Sequence, residues 1–125
     1  MKTAFDLEFN PGPEVLRTAR DAAGVLAPDL PQETLDDVRL LVSELVTNSI
    51  RHGNLLPEGW IRVKITAGQG RVRAEVWDSG PGFDPPPAPD TGGASGWGIY
   101  LLDRVADRWG IVRNDATCVW FEIDV

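Results

Sequence analysis

The sequence predicts a two-layer α/β (α+β) sandwich, with a mixed, mainly antiparallel sheet covered on one face by three helices. Three observations carry this. Two alternating segments flank Gly68-Gln69-Gly70 in the manner of a hairpin, and a stripe of apolar residues runs from Leu35 to Val46 at helical spacing. Further strand-like segments stand near both ends of the chain, with helical segments placed between them. At 125 residues with 42% hydrophobic composition, the chain is expected to form one domain, 1–125, around a single core.

Lys2 to Phe9 reads as a first strand of unfixed register, ended by Pro11-Gly12-Pro13. From Glu14 to Ala27, the residues Val15, Leu16, Ala19, Ala22, Ala23 and Leu26 recur every three or four positions, which is the pattern of an amphipathic helix. The next helix has the clearest ends. Asp29 is placed to accept from the free amides of its first turn, Gln32 completes a capping-box spacing, and Gly53 suits the left-handed position after the last turn. Between those ends lie Leu35, Val38, Leu41, Val42, Leu45 and Val46, so this helix is expected to be the centre of the core.

Trp60 to Ala67 and Arg71 to Trp77 alternate apolar with polar residues and form the hairpin. Ser79 to Ser95 holds five prolines and four glycines and has almost nothing to bury, so it is expected to be a loop, mobile without ligand between Asp84 and Ser95. Helical spacing resumes from Trp97 through Leu101, Leu102, Val105 and Ala106. Two strands, Arg108 to Val112 and Thr117 to Val125, follow it.

Twelve basic against nineteen acidic residues leave a net charge of −7, which disfavours nucleic acid as a direct partner. Cys118 is a lone cysteine in an apolar run and reads as a small core residue. The chain shows neither a charged leader nor an apolar run approaching the ~20 residues that cross a bilayer. The expectation is a soluble, cytoplasmic protein without a membrane partner.

Three short stretches carry the chemistry. Within Ser43-Glu44-Leu45-Val46-Thr47-Asn48, Glu44 and Asn48 are four apart on the central helix, so their Cβ atoms lie roughly 5 to 6 Å apart on one face. A carboxylate beside an amide oxygen suits hydroxyl activation and coordination of Mg²⁺, a hard cation that takes oxygen ligands. By itself the pair also reads as an ordinary solvated polar face. Within Asp78-Ser79-Gly80-Pro81-Gly82, a carboxylate at a strand end can accept from an exocyclic amine such as that of adenine. The glycines let backbone approach a flat ring, although the same residues also make a plain turn. Gly96-Trp97-Gly98 precedes a helix, whose free amides and positive dipole end favour phosphate; alone, it is equally a loop-to-helix junction.

Taken in order, E-x-x-x-N, D-x-G-x-G and G-x-G resemble the N box and two glycine boxes of the histidine kinase-like (GHKL) ATPase superfamily, over nearly the whole chain. The run S-E-L-V-T-N-S-I-R-H-G and the strand-first start are most similar to the anti-sigma factor serine kinases. The resemblance implies a Bergerat-type ATP-binding fold with ATP and Mg²⁺ as cofactors. It implies that Glu44 is the catalytic base, that Asn48 holds the metal, and that Asp78 reads the adenine amine. Gly80, Gly82 and Phe83 would shape the adenine pocket, Gly96 and Gly98 would approach the phosphates, and Thr117 would support Asp78 through water. Trp97, between two glycines, is a candidate to face the nucleotide or a partner.

The sequence departs from the family pattern twice. Ala116-Thr117 stands where Gly-Thr is common, and the lid segment is short and proline-rich, with no lysine or arginine from Ser79 to Tyr100. His52, at the end of the central helix, suits the negative dipole end better than it suits a phosphoacceptor. The implied function is an ATP-binding anti-sigma regulatory factor with serine/threonine protein kinase activity toward an anti-sigma factor antagonist. Its partners would be that antagonist and a sigma factor, with homodimerisation common among the relatives. The alternative is a noncatalytic ATP-responsive protein-binding module; a detached histidine-kinase catalytic domain ranks third, because no dimerisation helix with a phosphoacceptor histidine is present.

Overall fold

The computed structural model describes residues 2–10, 14–24, 28, 30–52, 59–79 and 97–125. Eight elements follow in the order β1 (Lys2–Phe9), α1 (Val15–Ala23), α2 (Gln32–His52), β2 (Ile61–Gly68), β3 (Arg71–Asp78), α3 (Trp97–Val105), β4 (Arg108–Arg113) and β5 (Thr117–Asp124). The strands form one sheet in the order β1-β2-β3-β5-β4, and every pairing is antiparallel. The sheet expected as mixed or mainly antiparallel is therefore antiparallel throughout. β1 carries one irregularity, a register shift between Thr3 and Phe5.

The β2–β3 connection is tight because Gln69 and Gly70 both take positive φ, 56° and 74°, as a two-residue type I′ hairpin turn requires. Inward residues of the strands, Ile61, Val63, Ile65, Val72, Ala74, Val76, Val119, Phe121 and Ile123, pack against Leu35, Val38, Leu41, Val42, Leu45 and Val46 of α2. Alternation along each strand and the stripe on α2 thus meet in one layer, as their spacings require.

α1 and α2 run antiparallel. Arg20 Nε donates to Ser43 Oγ at 2.8 Å, while a Cβ on Gly24 would lie 3.1 Å from the Arg39 guanidinium, so moving forward along α1 means moving backward along α2. The capping-box expectation rests on Asp29, which lies outside the described residues; Gln32 Nε2 donates forward to Asp36 Oδ1 at 2.9 Å. The first helical bond runs from Leu35 N to Pro31 O at 3.0 Å, so Pro31 occupies the capping position through its carbonyl. The end of the helix at His52 agrees with expectation, and Gly53 lies outside the described residues.

On the face of the sheet away from the helices, charged residues form a ladder across strands. Arg108 bonds Glu122 at 2.8 Å and also pairs with Asp124, while Arg73 bonds Glu122 at 3.2 Å and lies 4.5 Å from the Trp120 ring centroid. The cations around them hold the Glu122 and Asp124 carboxyls below the usual carboxylate range, Arg108 having the largest effect on each. No described helix is long and apolar enough to cross a membrane.

Candidate functional site

One cross-strand row spans the whole sheet: Phe9, Ile61, Asp78, Thr117 and Arg113, each paired with the next. Paired residues project to the same side, and the burial of Ile61 identifies that side as the helix-facing one. Asp78 is the last residue of β3 itself, one position further into the strand than the sequence pattern suggested. Its side chain is 2% exposed and that of Thr117 is 3% exposed. A carboxylate at such a depth is costly unless it is partnered, and both residues do take part in polar interactions. Ser79 holds this strand end in place: its amide donates to Trp60 O at 3.1 Å, and its Oγ accepts from Trp60 N at 3.0 Å. The Ser79–Trp60 clasp was not anticipated from sequence, where Ser79 reads only as a turn residue.

The helix contributes the second pair. Glu44 is half-buried and Asn48 is 2% exposed, one turn further along the same face of α2. Ser43 and Thr47 beside them are occupied with their own helix, their hydroxyls donating to Arg39 O at 2.7 Å and Ser43 O at 2.8 Å. The Asn48 amide is different, because its Nδ2 is buried without a hydrogen-bond partner among the described residues. Turning the amide over exchanges its nitrogen and oxygen, so this position can present either a donor or an acceptor to a ligand.

These residues fit a magnesium ion of the kind expected. Mg²⁺ usually takes one or two protein ligands and fills its remaining positions with phosphate oxygens and water. A buried amide in want of a partner, next to a half-buried carboxylate, is such a donor set. No group of three or more His, Cys, Asp or Glu side chains able to hold a metal occurs among the described residues.

Topology draws the two pairs toward one end of the domain. The antiparallel packing of α1 on α2 sets the C-terminal half of α2, with Glu44 and Asn48, level with the start of α1, which follows closely on Phe9. Phe9 lies in the same row as Asp78. α3 begins at that end too: it is joined to β4 through only Ala106 and Asp107, so it runs back along β4 and its first residues, Trp97 and Gly98, lie toward the end where Arg113 and Thr117 sit. Trp97 and Gly98 therefore open a helix, as expected. Gly80, Gly82, Phe83 and Gly96, with the loop expected to be mobile between Asp84 and Ser95, lie outside the described residues.

Cys118 is 2% exposed, and burial pushes its thiol up to about 12, so it remains an un-ionised small side chain. It faces the opposite side of the sheet from Thr117, between Trp77 and Val112.

The fold is a two-layer α+β domain, an antiparallel sheet covered by helices, with buried polar residues toward one end. The chain belongs to the histidine kinase-like ATPase domain family, whose model matches residues 9–123. Membership supports ATP binding, and with it an ATP-dependent kinase or ATPase activity. Among solved structures, the Erythrobacter litoralis EL346 blue-light activated histidine kinase shares the fold with a TM-score of 0.64 at 22% identity, covering 87% of this chain. The present chain spans 40% of that one. No curated protein sequence matches it.

Proposed function

We propose that this domain binds ATP with Mg²⁺ and works as an anti-sigma regulatory factor, phosphorylating a serine or threonine of an anti-sigma factor antagonist and sequestering a sigma factor in turn. The observation that carries the reading is the buried Asn48 Nδ2, without a hydrogen-bond partner among the described residues, one helical turn from the half-buried Glu44 carboxylate, in a family that binds ATP.

Asp78 accepts from the adenine amine and so fixes the base, with Thr117 opposite it supporting the contact. Asn48 would hold the metal. Bound Mg²⁺ would supply charge neutralisation for the phosphates. Glu44, half-exposed toward the ligand end, accepts the proton of the incoming hydroxyl, while free amides at the start of α3 orient phosphate oxygens. Catalysis on this scheme rests on positioning and charge.

A second reading has one specific observation in its favour. No lysine or arginine occurs from Ser79 to Tyr100, so the segment that would cover the phosphates brings no cation of its own. A noncatalytic ATP-responsive binding module would have that composition. Incubation with γ-labelled ATP and candidate antagonist proteins separates the two: label transfer to a serine or threonine is expected, and nucleotide binding with no transfer to any candidate would favour the module.

A further inference from the structure

The last rung between β2 and β3 is closed by a side chain. Ser79 N donates to Trp60 O at 3.1 Å, as in the hydrogen-bonded rungs of any antiparallel pair. The reciprocal bond of such a rung runs to the facing main-chain carbonyl. Here Trp60 N donates instead to Ser79 Oγ at 3.0 Å, so the hydroxyl takes the place of the Ser79 carbonyl.

This rung matters to its neighbour. Bonded and non-bonded rungs alternate along an antiparallel pair, so the next rung inward, Ile61 with Asp78, exchanges no main-chain bond between β2 and β3. Against β2, Asp78 is held only by the rungs on either side of it, Arg62 with Trp77 and the clasp of Trp60 with Ser79. β3 ends at Asp78, and among the described residues the clasp is the last tie between that strand end and β2. Alternation puts the Ser79 side chain on the face away from the helices, whereas Asp78 faces them. The hydroxyl is therefore on the wrong side of the sheet to touch a ligand at Asp78, and its influence there passes through the backbone.

We infer that Ser79 is a positioning residue for base recognition: its clasp on Trp60 sets where the Asp78 carboxylate stands, and with it the preference of the site for a purine bearing a 6-amino group. The inference rests on the ATP-binding reading above. Asp78 already takes part in a polar interaction, and its carboxylate has room for a further donor because its two oxygens offer about four lone-pair sites. Such a bond depends on placement, since hydrogen bonds weaken steeply as the angle closes. At 2% exposure the side chain has little freedom to adjust, so a displaced strand end is passed on to the carboxylate.

Titration calorimetry on the wild type, Ser79→Ala and Ser79→Thr tests it, with thermal melts confirming folding. The two ligands are ADP and the diphosphate of purine riboside, which differs from ADP only in lacking the 6-amino group. The wild type is expected to favour ADP. Ser79→Ala is expected to lose about fivefold in ADP affinity, the scale of one neutral hydrogen bond, with the purine riboside ligand unchanged. Ser79→Thr retains the hydroxyl and should restore the preference. Unchanged ADP affinity in a folded Ser79→Ala protein, or equal losses for the two ligands, would overturn this inference alone. A preference lost as fully in Ser79→Thr as in Ser79→Ala would overturn the role of the hydroxyl. A wild type that binds both ligands equally would remove base reading by Asp78 and this inference with it, and one that binds neither would overturn the ATP reading itself.

Discussion

Asp78 and Thr117 face each other across the rung where β3 and β5 end their pairing, both almost sealed from solvent and both on the helix side of the sheet. On the ATP-binding reading proposed above, a carboxylate and a hydroxyl side by side at the mouth of an apolar layer would form a compact acceptor and donor pair for the edge of a purine. Asp78→Asn preserves shape but removes the negative charge and one of the two acceptor oxygens, and so weakens the bond expected from the adenine amine. Affinity for ATP is expected to fall by about ten- to a hundredfold, the equivalent of one buried charge-assisted hydrogen bond. Calorimetry showing wild-type affinity in that variant would remove Asp78 from the base-reading role.

Glu44 and Asn48 separate by role although they share a helix face. Glu44→Gln keeps size and hydrogen-bonding reach but cannot take a proton, so phosphotransfer is expected to fall by roughly 10² to 10⁴ while ATP binding survives. Asn48→Ala removes the proposed metal ligand and should weaken both. Transfer at the wild-type rate by Glu44→Gln would place the base elsewhere.

Gly110 is the one place in β4 where the Trp120 ring can lie across the sheet. A Cβ there would meet the ring at 2.8 Å from Nε1, inside any real contact distance, and Arg73 stacks on the same ring. Gly110→Ala is therefore expected to destabilise the fold by about 1–3 kcal/mol, the range for overpacking. Denaturant unfolding provides the measurement, and the double variant with Trp120→Ala should lose less than the sum of the single changes. Additive losses would show that the ring is not the obstacle.

The ladder around Glu122 sets a pH dependence. Its folded carboxyl titrates below the usual carboxylate range, with Arg108 the largest cause and Arg73 and Arg71 assisting. A carboxylate depressed by folding stabilises the native state above its unfolded pKa, and that contribution is lost as pH falls through the folded value. Thermal stability is expected to decline on acidification below about pH 4.5 to 5, with a shallower decline in Glu122→Gln. Parallel profiles for the two proteins would remove Glu122 from the acid response.

Local patterns made much of the fold readable. Alternation and Gly68-Gln69-Gly70 specified the β2–β3 hairpin, the stripe from Leu35 to Val46 specified α2, and a helix starting near Trp97 was anticipated. One feature escaped because it is settled by distant partners: the insertion of β5 between β3 and β4 is a long-range choice that no local periodicity encodes. Of the candidate site, residue chemistry pointed to Glu44, Asn48 and Asp78, whereas the row joining Asp78 to Thr117 and Arg113 required the sheet order. Even so, the alternation of Trp109, Ile111 and Arg113 was present in the sequence as a hint of which side Arg113 would take.

The inertness of Cys118 makes the domain easy to instrument. It is the only cysteine of the chain, and it is hidden within the sheet with its thiol pushed up to about 12. A new thiol introduced as Gln69→Cys, in the exposed β2–β3 turn, would be labelled selectively by a maleimide with the native cysteine left in place. Seven strand steps of ~3.4 Å put that turn roughly 24 Å from the row of Asp78. Such a separation lets a dye there exchange energy with a fluorescent nucleotide while touching nothing at the opposite rim, so the molecule offers its own ruler for watching ligand arrive.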